Sequence, residues 1–275
     1  MSKRAWIAGL LGLVLVGFLG LTVRGAESAV SVKPSLIEQA RLPALERSPG
    51  LALTPVQDQD KGLTDFQAAV SSAIAQSAPS YSPREEITLA DPSNYGDRYV
   101  TDAYGRPVYN DFIAVIHETV GSAQSALNMF RTYHPNDADQ VSYHTLIGRD
   151  GTVYYIVPPE KRAFGAGNSV FNGPNGPETV LTNPAFPPSV NNFAYHVSLE
   201  TPSDGRGNGR RHSGYTQAQY ESLAWLLART SIPDNRITTH QAVDRSGTRI
   251  DPRSFDRQKL MSLLHRYSDR AALSG

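Results

Sequence analysis

Apolar positions in this chain follow two regimes. The first is an unbroken block, Ala5 to Val23, which contains no charge and is preceded by Lys3 and Arg4 and closed by Arg24. The second begins near Arg84, where apolar residues come in short runs separated by polar turns. Phe112-Ile-Ala-Val-Ile116, bounded by Asn110-Asp111 and ending in His117, predicts a buried central strand. Ser122 to Tyr133 has helical spacing, with Ala126, Leu127, Phe130 and Tyr133 on one face. Val141–Gly148 and Thr152–Val157 flank Arg149-Asp150-Gly151, and an Asp-Gly pair between two β-rich runs predicts a hairpin. Residues 165–191, crowded with Gly, Asn and Pro, predict a long irregular loop, which inside a compact domain is usually functional. Phe193–Leu199 is a further strand. Thr216-Gln-Ala-Gln219 has the form of a capping box and opens a helix through Arg229. Ile237–His240 is a last short strand, and Asp256 caps a helix to about Tyr267. Strands interleaved with helices, plus one hairpin, predict an α/β domain with a mixed sheet.

The block at the start has a different meaning. A positive start, an apolar middle and a small-residue exit (Gly25, Ala26, Ser28, Ala29) describe a secretory signal. Its length approaches the ~20 residues that span a bilayer, so residues 1–26 are expected to be a signal peptide or an N-terminal membrane anchor. Residues 27–83, rich in Ser, Pro, Ala and Gln, read as a spacer with one amphipathic helix over Leu63–Ala78. Residues 84–270 are the expected catalytic domain.

Composition narrows the chemistry. The chain has 275 residues, with 26 basic against 26 acidic, so nothing marks it for nucleic acid. It has no cysteine, and therefore no disulfide and no thiolate ligand; a zinc site here must use His and Asp or Glu. Such a site tolerates an oxidising compartment. Of the seven histidines, His134, His212 and His265 read as solvated or capping and His196 as structural. His117 opens His-Glu-Thr-Val-Gly, but Gly121 stands where a helical zinc-protease motif requires its second histidine. His117 must therefore find partners elsewhere. Thr239-His240 and Asp251-Pro252 offer them: two imidazoles and a carboxylate can close three sides of a zinc tetrahedron and leave the fourth for water.

Taken in order, Val115-Ile-His117, Val141-Ser-Tyr-His-Thr-Leu-Ile-Gly-Arg-Asp-Gly151, Val157-Pro-Pro-Glu-Lys-Arg-Ala163, Val197-Ser-Leu-Glu200 and Thr239-His240 with Asp251-Pro252 resemble the zinc-dependent N-acetylmuramoyl-L-alanine amidases of the second class, which include phage lysozyme-type amidases and peptidoglycan recognition proteins. The resemblance covers about residues 108–268. It implies a mixed, mainly parallel central sheet flanked by helices, with zinc in a surface groove. It implies His117, His240 and Asp251 as zinc ligands, Glu200 as general base and acid, and Tyr143 as a tyrosine near the metal. Arg249 falls where the family commonly has lysine; it keeps the charge and adds a planar fork of donors, so it is expected to stabilise an oxyanion. The implied substrate is peptidoglycan or a muropeptide, and the implied place is the periplasm or cell envelope, with a tether through the N-terminal segment where the leader is kept. Segment 165–191 is expected to wall the groove, with Asn168, Phe171 and Asn172 meeting glycan or peptide. Two rival readings follow from the same residues: a receptor that binds peptidoglycan without cutting it, and a zinc peptidase acting on the stem peptide.

Overall fold

The computed structural model describes residues 80–267 and Arg270. The leader, the spacer and the helix expected over Leu63–Ala78 lie outside the described residues.

In chain order the strands and helices are β1 (Glu85–Ile87), β2 (Tyr95–Asp97), β3 (Ile113–Glu118), α1 (Ala123–Arg131), β4 (Thr145–Ile147), β5 (Val153–Tyr155), β6 (Lys161–Ala163), β7 (Phe171–Gly173), β8 (Gly176–Glu178), β9 (Ala194–Leu199), α2 (Gln217–Ala228), β10 (Ile237–Thr239), α3 (His240–Val243) and α4 (Arg257–Leu264). Six strands form one sheet in the order β1-β5-β4-β9-β3-β10. The β4–β5 pair is antiparallel, and the β1–β5, β4–β9, β3–β9 and β3–β10 pairs are parallel. The sheet is thus mixed and mainly parallel, as expected.

The middle of the sheet follows from its composition. A parallel strand covered on both faces must be apolar throughout, and Ile113–Ile116 are wholly buried. Alternate residues then serve two cores. Ala114 and Ile116 pack with Val197 and Leu199 against Tyr220, Leu223 and Leu227 of α2 and Leu260 and Leu264 of α4. Ile113 and Val115 face the other way, onto Ala166, Phe171, Val180, Val190 and Phe193. Beside that second core, α1 places Ala126, Leu127 and Phe130 against Leu146 and Ile156.

Caps and turns fix the ends of these elements, two of them at the expected Asp-Gly turn and Thr216 capping box. Ser122 caps α1, its hydroxyl accepting the Ser125 N–H at 3.2 Å. Gly151 takes φ +90° in the turn between β4 and β5, a conformation that favours glycine. Thr216 and Gln219 form the capping box of α2, and the Gln219 amide also donates to the Glu200 and Ile147 carbonyls, tying the helix to the ends of β9 and β4. Segment 165–191 differs from the expected loop in one respect: it contains the small antiparallel hairpin β7–β8. Three short strands, β1, β2 and β6, were not among the expected elements.

Candidate active site

The loose ends of β3, β9 and β10 converge at one edge of the sheet. Thr239 pairs with Ile116, and its hydroxyl then accepts the Ala242 N–H at 3.2 Å, which stops the strand and starts α3. His240, the first residue of that helix, is thereby set beside His117, with ring centroids 4.6 Å apart. The loop that follows is shaped by Asp244, whose carboxylate accepts the N–H groups of Ser246, Thr248 and Arg249. It returns the chain so that the Asp251 carbonyl accepts the Gln241 N–H at 2.8 Å. The Asp251–Pro252 peptide is cis.

Asp251 is also clamped from its other side. Arg253, two residues on, is buried and forms an ion pair with Glu118, while its remaining donors reach the carbonyls of Gly205, Gly207 and Gly209. Glu118, at the end of β3, further accepts from Tyr215 Oη at 3.0 Å and lies 3.0 Å from His212 Nε2. His212 is therefore no solvated loop residue: its side chain is fully buried. A carboxylate taken out of water needs such a set of partners.

His117 Nδ1, His240 Nδ1 and Asp251 Oδ2 meet. The carboxylate oxygen is 3.0 Å from His240 Nδ1 and 3.5 Å from His117 Nδ1. Among the described residues this is the one His/Asp/Glu group whose ligand atoms lie close enough to hold a metal, all within 4.8 Å of one another. Ligands about 2.0–2.1 Å from a tetrahedral ion stand roughly 3.3 Å apart, so the observed spacings suit zinc. His117 Nδ1 is buried without a hydrogen-bond partner, which also suits an atom kept for a metal. Burial, reinforced by the positive field of His240, lowers the His117 imidazole to about 4. For Asp251, burial pulls upward, but the facing imidazoles of His117 and His240 outweigh it and hold the carboxyl far below its usual range. A neutral His117 imidazole and an ionised Asp251 carboxylate are the states a metal site needs.

Two further expected residues lie at this group. Tyr143 stacks on His117, ring centroids 4.4 Å apart at 28°, with Phe130 edge-on behind it. Burial, and after it the negative field of Asp251, raises its phenol, so it remains an O–H donor at neutral pH. Arg249 is exposed on the loop before Asp251, near enough for its charge to act on both His117 and Tyr143. Glu200 is not drawn in by any contact among the described residues. It lies one residue beyond β9, and its carboxylate accepts the Arg149 N–H at 3.0 Å in the turn after β4. The register explains the difference: the residue paired with His117 is Ser198, whose buried hydroxyl has no hydrogen-bond partner.

Segment 165–191 does pack along this edge, through bonds from the Val170 N–H to the Val243 carbonyl and from the Arg245 N–H to the Asn168 carbonyl. Asn168 and Asn172 are exposed there, but Phe171 is not available to a ligand: it is buried in the second core beneath the Arg236 guanidinium.

The family model for N-acetylmuramoyl-L-alanine amidase matches residues 109–254, more than half of the 275. The chain belongs to the N-acetylmuramoyl-L-alanine amidase family. Membership of this family supports amidase activity on peptidoglycan. The match encloses His117, Tyr143, His240, Arg249 and Asp251, so the residues gathered at the sheet edge are the family's own segment of the chain. Among solved structures, AmpD, studied as its selenomethionine derivative, is 26% identical with TM-score 0.46 and covers 66% of this chain and 94% of its own. Citrobacter freundii AmpD in solution is 24% identical with TM-score 0.41, covering 68% and 92%. Pseudomonas aeruginosa AmpDh3, solved in complex with an anhydromuramic pentapeptide, is 17% identical with TM-score 0.40, covering 60% and 66%. No curated protein matches the chain.

Proposed function

We propose that this amidase is zinc-dependent and cleaves the amide joining the lactyl group of N-acetylmuramic acid to the L-alanine of the stem peptide, outside the cytoplasm. The observation that carries this is the convergence of His117 Nδ1, His240 Nδ1 and Asp251 Oδ2, three protein donors close enough to share one ion. These three residues would hold the ion. When bound, zinc supplies a Lewis acid and a water acidic enough to ionise near pH 7 rather than at about 15.7.

The other groups have parts that follow from their positions. Tyr143, kept protonated, donates to the developing oxyanion or to the leaving nitrogen. Arg249 brings a permanent positive charge to the same side. The carboxylates the structure gathers at this edge are Asp251, a ligand, and Glu118, committed to Arg253; neither is a free base. Glu200, on its turn, serves the β4–β5 connection. Beside Asp251 opens a cavity of about 600 Å³, lined in part by Gln241, Pro252, Phe255, Arg210, Arg211 and Arg257. Arginine forks there suit the carboxylates of a stem peptide. The leader expected over residues 1–26 would deliver the domain to the envelope, cleaved or kept as a tether.

Digestion of a defined muropeptide, read by mass spectrometry, tests the reading. The expected products are a sugar with a free lactyl carboxylate and an intact peptide beginning with L-alanine. Fragments cut within the peptide would make the chain a zinc peptidase, and binding without cleavage would make it a receptor.

A further inference from the structure

Behind the ligand group, the sheet buries two more imidazoles. His196 and His144, on β9 and just before β4, are fully buried. His196 Nδ1 lies 2.9 Å from His117 Nε2, and the His196 N–H donates to His144 Nδ1 at 2.9 Å. The chemistry of each nitrogen fixes most of the protons. A backbone N–H only donates, so His144 Nδ1 is bare and its proton sits on Nε2, 3.1 Å from the Lys161 carbonyl. Arg98 approaches the same nitrogen but spends its donors on the carbonyls of Pro159, Asn191, Asn192 and Ala194. His144 is thus a neutral, fixed anchor for the backbone at His196.

Between His117 and His196 only one proton fits. For His117 Nδ1 to hold a metal it must be bare, which puts the proton of that ring on Nε2. That proton then needs an acceptor, and the atom facing it is His196 Nδ1. His196 must in turn carry its own proton on Nε2, the nitrogen that has no partner in the structure. The opposite arrangement, with His196 donating, would load His117 Nδ1 with a proton aimed at Asp251 and close the ligand. The His196 ring cannot swing away to relieve the contact. A Cβ added at Gly165 would lie 2.7 Å from His196 Cγ and Nδ1, so the bare backbone of Gly165 closes directly over the ring.

We propose that His196 is the positioning residue for zinc: it selects the His117 tautomer whose Nδ1 is open to the metal, and Gly165 holds it in place. The proposal rests on the zinc reading above. Partners behind a metal-bound imidazole typically change metal affinity by about 10–100-fold.

The test is zinc affinity of the stripped full chain, measured by competition with a chromophoric chelator, with no turnover involved. His196→Ala is expected to weaken binding by about 10–100-fold. His196→Asn, whose carboxamide oxygen can stand where Nδ1 stood, is expected to recover most of that loss. Gly165→Ala, which displaces the ring without removing it, is expected to weaken zinc while the metal-free protein melts as a folded unit. Wild-type affinity in His196→Ala overturns the proposal, as does an Asn variant no better than Ala, which would reduce His196 to packing. A wild type that takes up no zinc overturns this inference and the zinc reading together, whereas unchanged affinity in His196→Ala overturns this inference alone.

Discussion

Residues in this site divide by whether their chemistry shows in one dimension. His117 and His240 did, since His117 ends an apolar run and His240 follows a short β-branched one, and a polar residue at the end of a strand is placed at its edge. Asp251 did through its spacing and Pro252. Glu200 fitted the same logic but not the register: β3 and β9 pair His117 with Ser198, and two residues more carry Glu200 to the β4–β5 turn. We therefore expect Tyr143→Phe to lower kcat by about 10² or more, the typical cost of one oxyanion donor, with zinc content unchanged. Glu200→Gln should cost less than about tenfold, because a true general base contributes about 10²–10⁴. Steady-state rates on one muropeptide compare the two variants directly. A Glu200→Gln enzyme with turnover lost and zinc retained would restore that carboxylate to the mechanism.

Elements were legible in proportion to their length and their caps. The six-residue strands β3 and β9 and the capped helices α1, α2 and α4 follow from period and punctuation. Strands β1, β2 and β6 are the three-residue segments Glu-Glu-Ile, Tyr-Gly-Asp and Lys-Arg-Ala, which have no apolar run to mark them. The connection that holds Asp251 was also unreadable, because its parts are far apart in the chain: Glu118 on β3, His212 and Tyr215 before α2, and Arg253 after the ligand. This buried ion pair gives a prediction for the loop. Arg253→Met takes the ion-pair partner from buried Glu118, and breaking such a pair costs about 3–5 kcal/mol. Chemical denaturation is expected to show that loss, accompanied by weaker zinc binding as Asp251 is released. An unchanged denaturation midpoint would mean that the pair does not anchor the loop.

At the scale of the whole molecule, the sheet encloses three neutral imidazoles. Burial is the largest cause in each case, holding His117 at about 4 and His144 and His196 well below their ordinary range. In the unfolded chain each protonates near 6.5. The unfolded state then binds more protons than the folded one below that pH, so stability is complete above about 6.5 and falls as pH drops. The slope is at most about 1.4 kcal/mol per pH unit for each histidine, and His117 stops contributing near its folded value of about 4. Melting of the chelator-treated protein from pH 7.5 to 5 should show a steady decline before the carboxylates titrate; a flat profile would mean that these rings protonate in place.

Zinc stoichiometry tests the ligand assignment most directly. Stripped wild-type protein titrated with zinc should bind one equivalent and regain muropeptide hydrolysis in step with it, while His240→Ala binds none at that affinity and stays inactive. Full hydrolysis by the stripped protein, or one tightly bound equivalent in His240→Ala, would contradict a metal held by His117, His240 and Asp251.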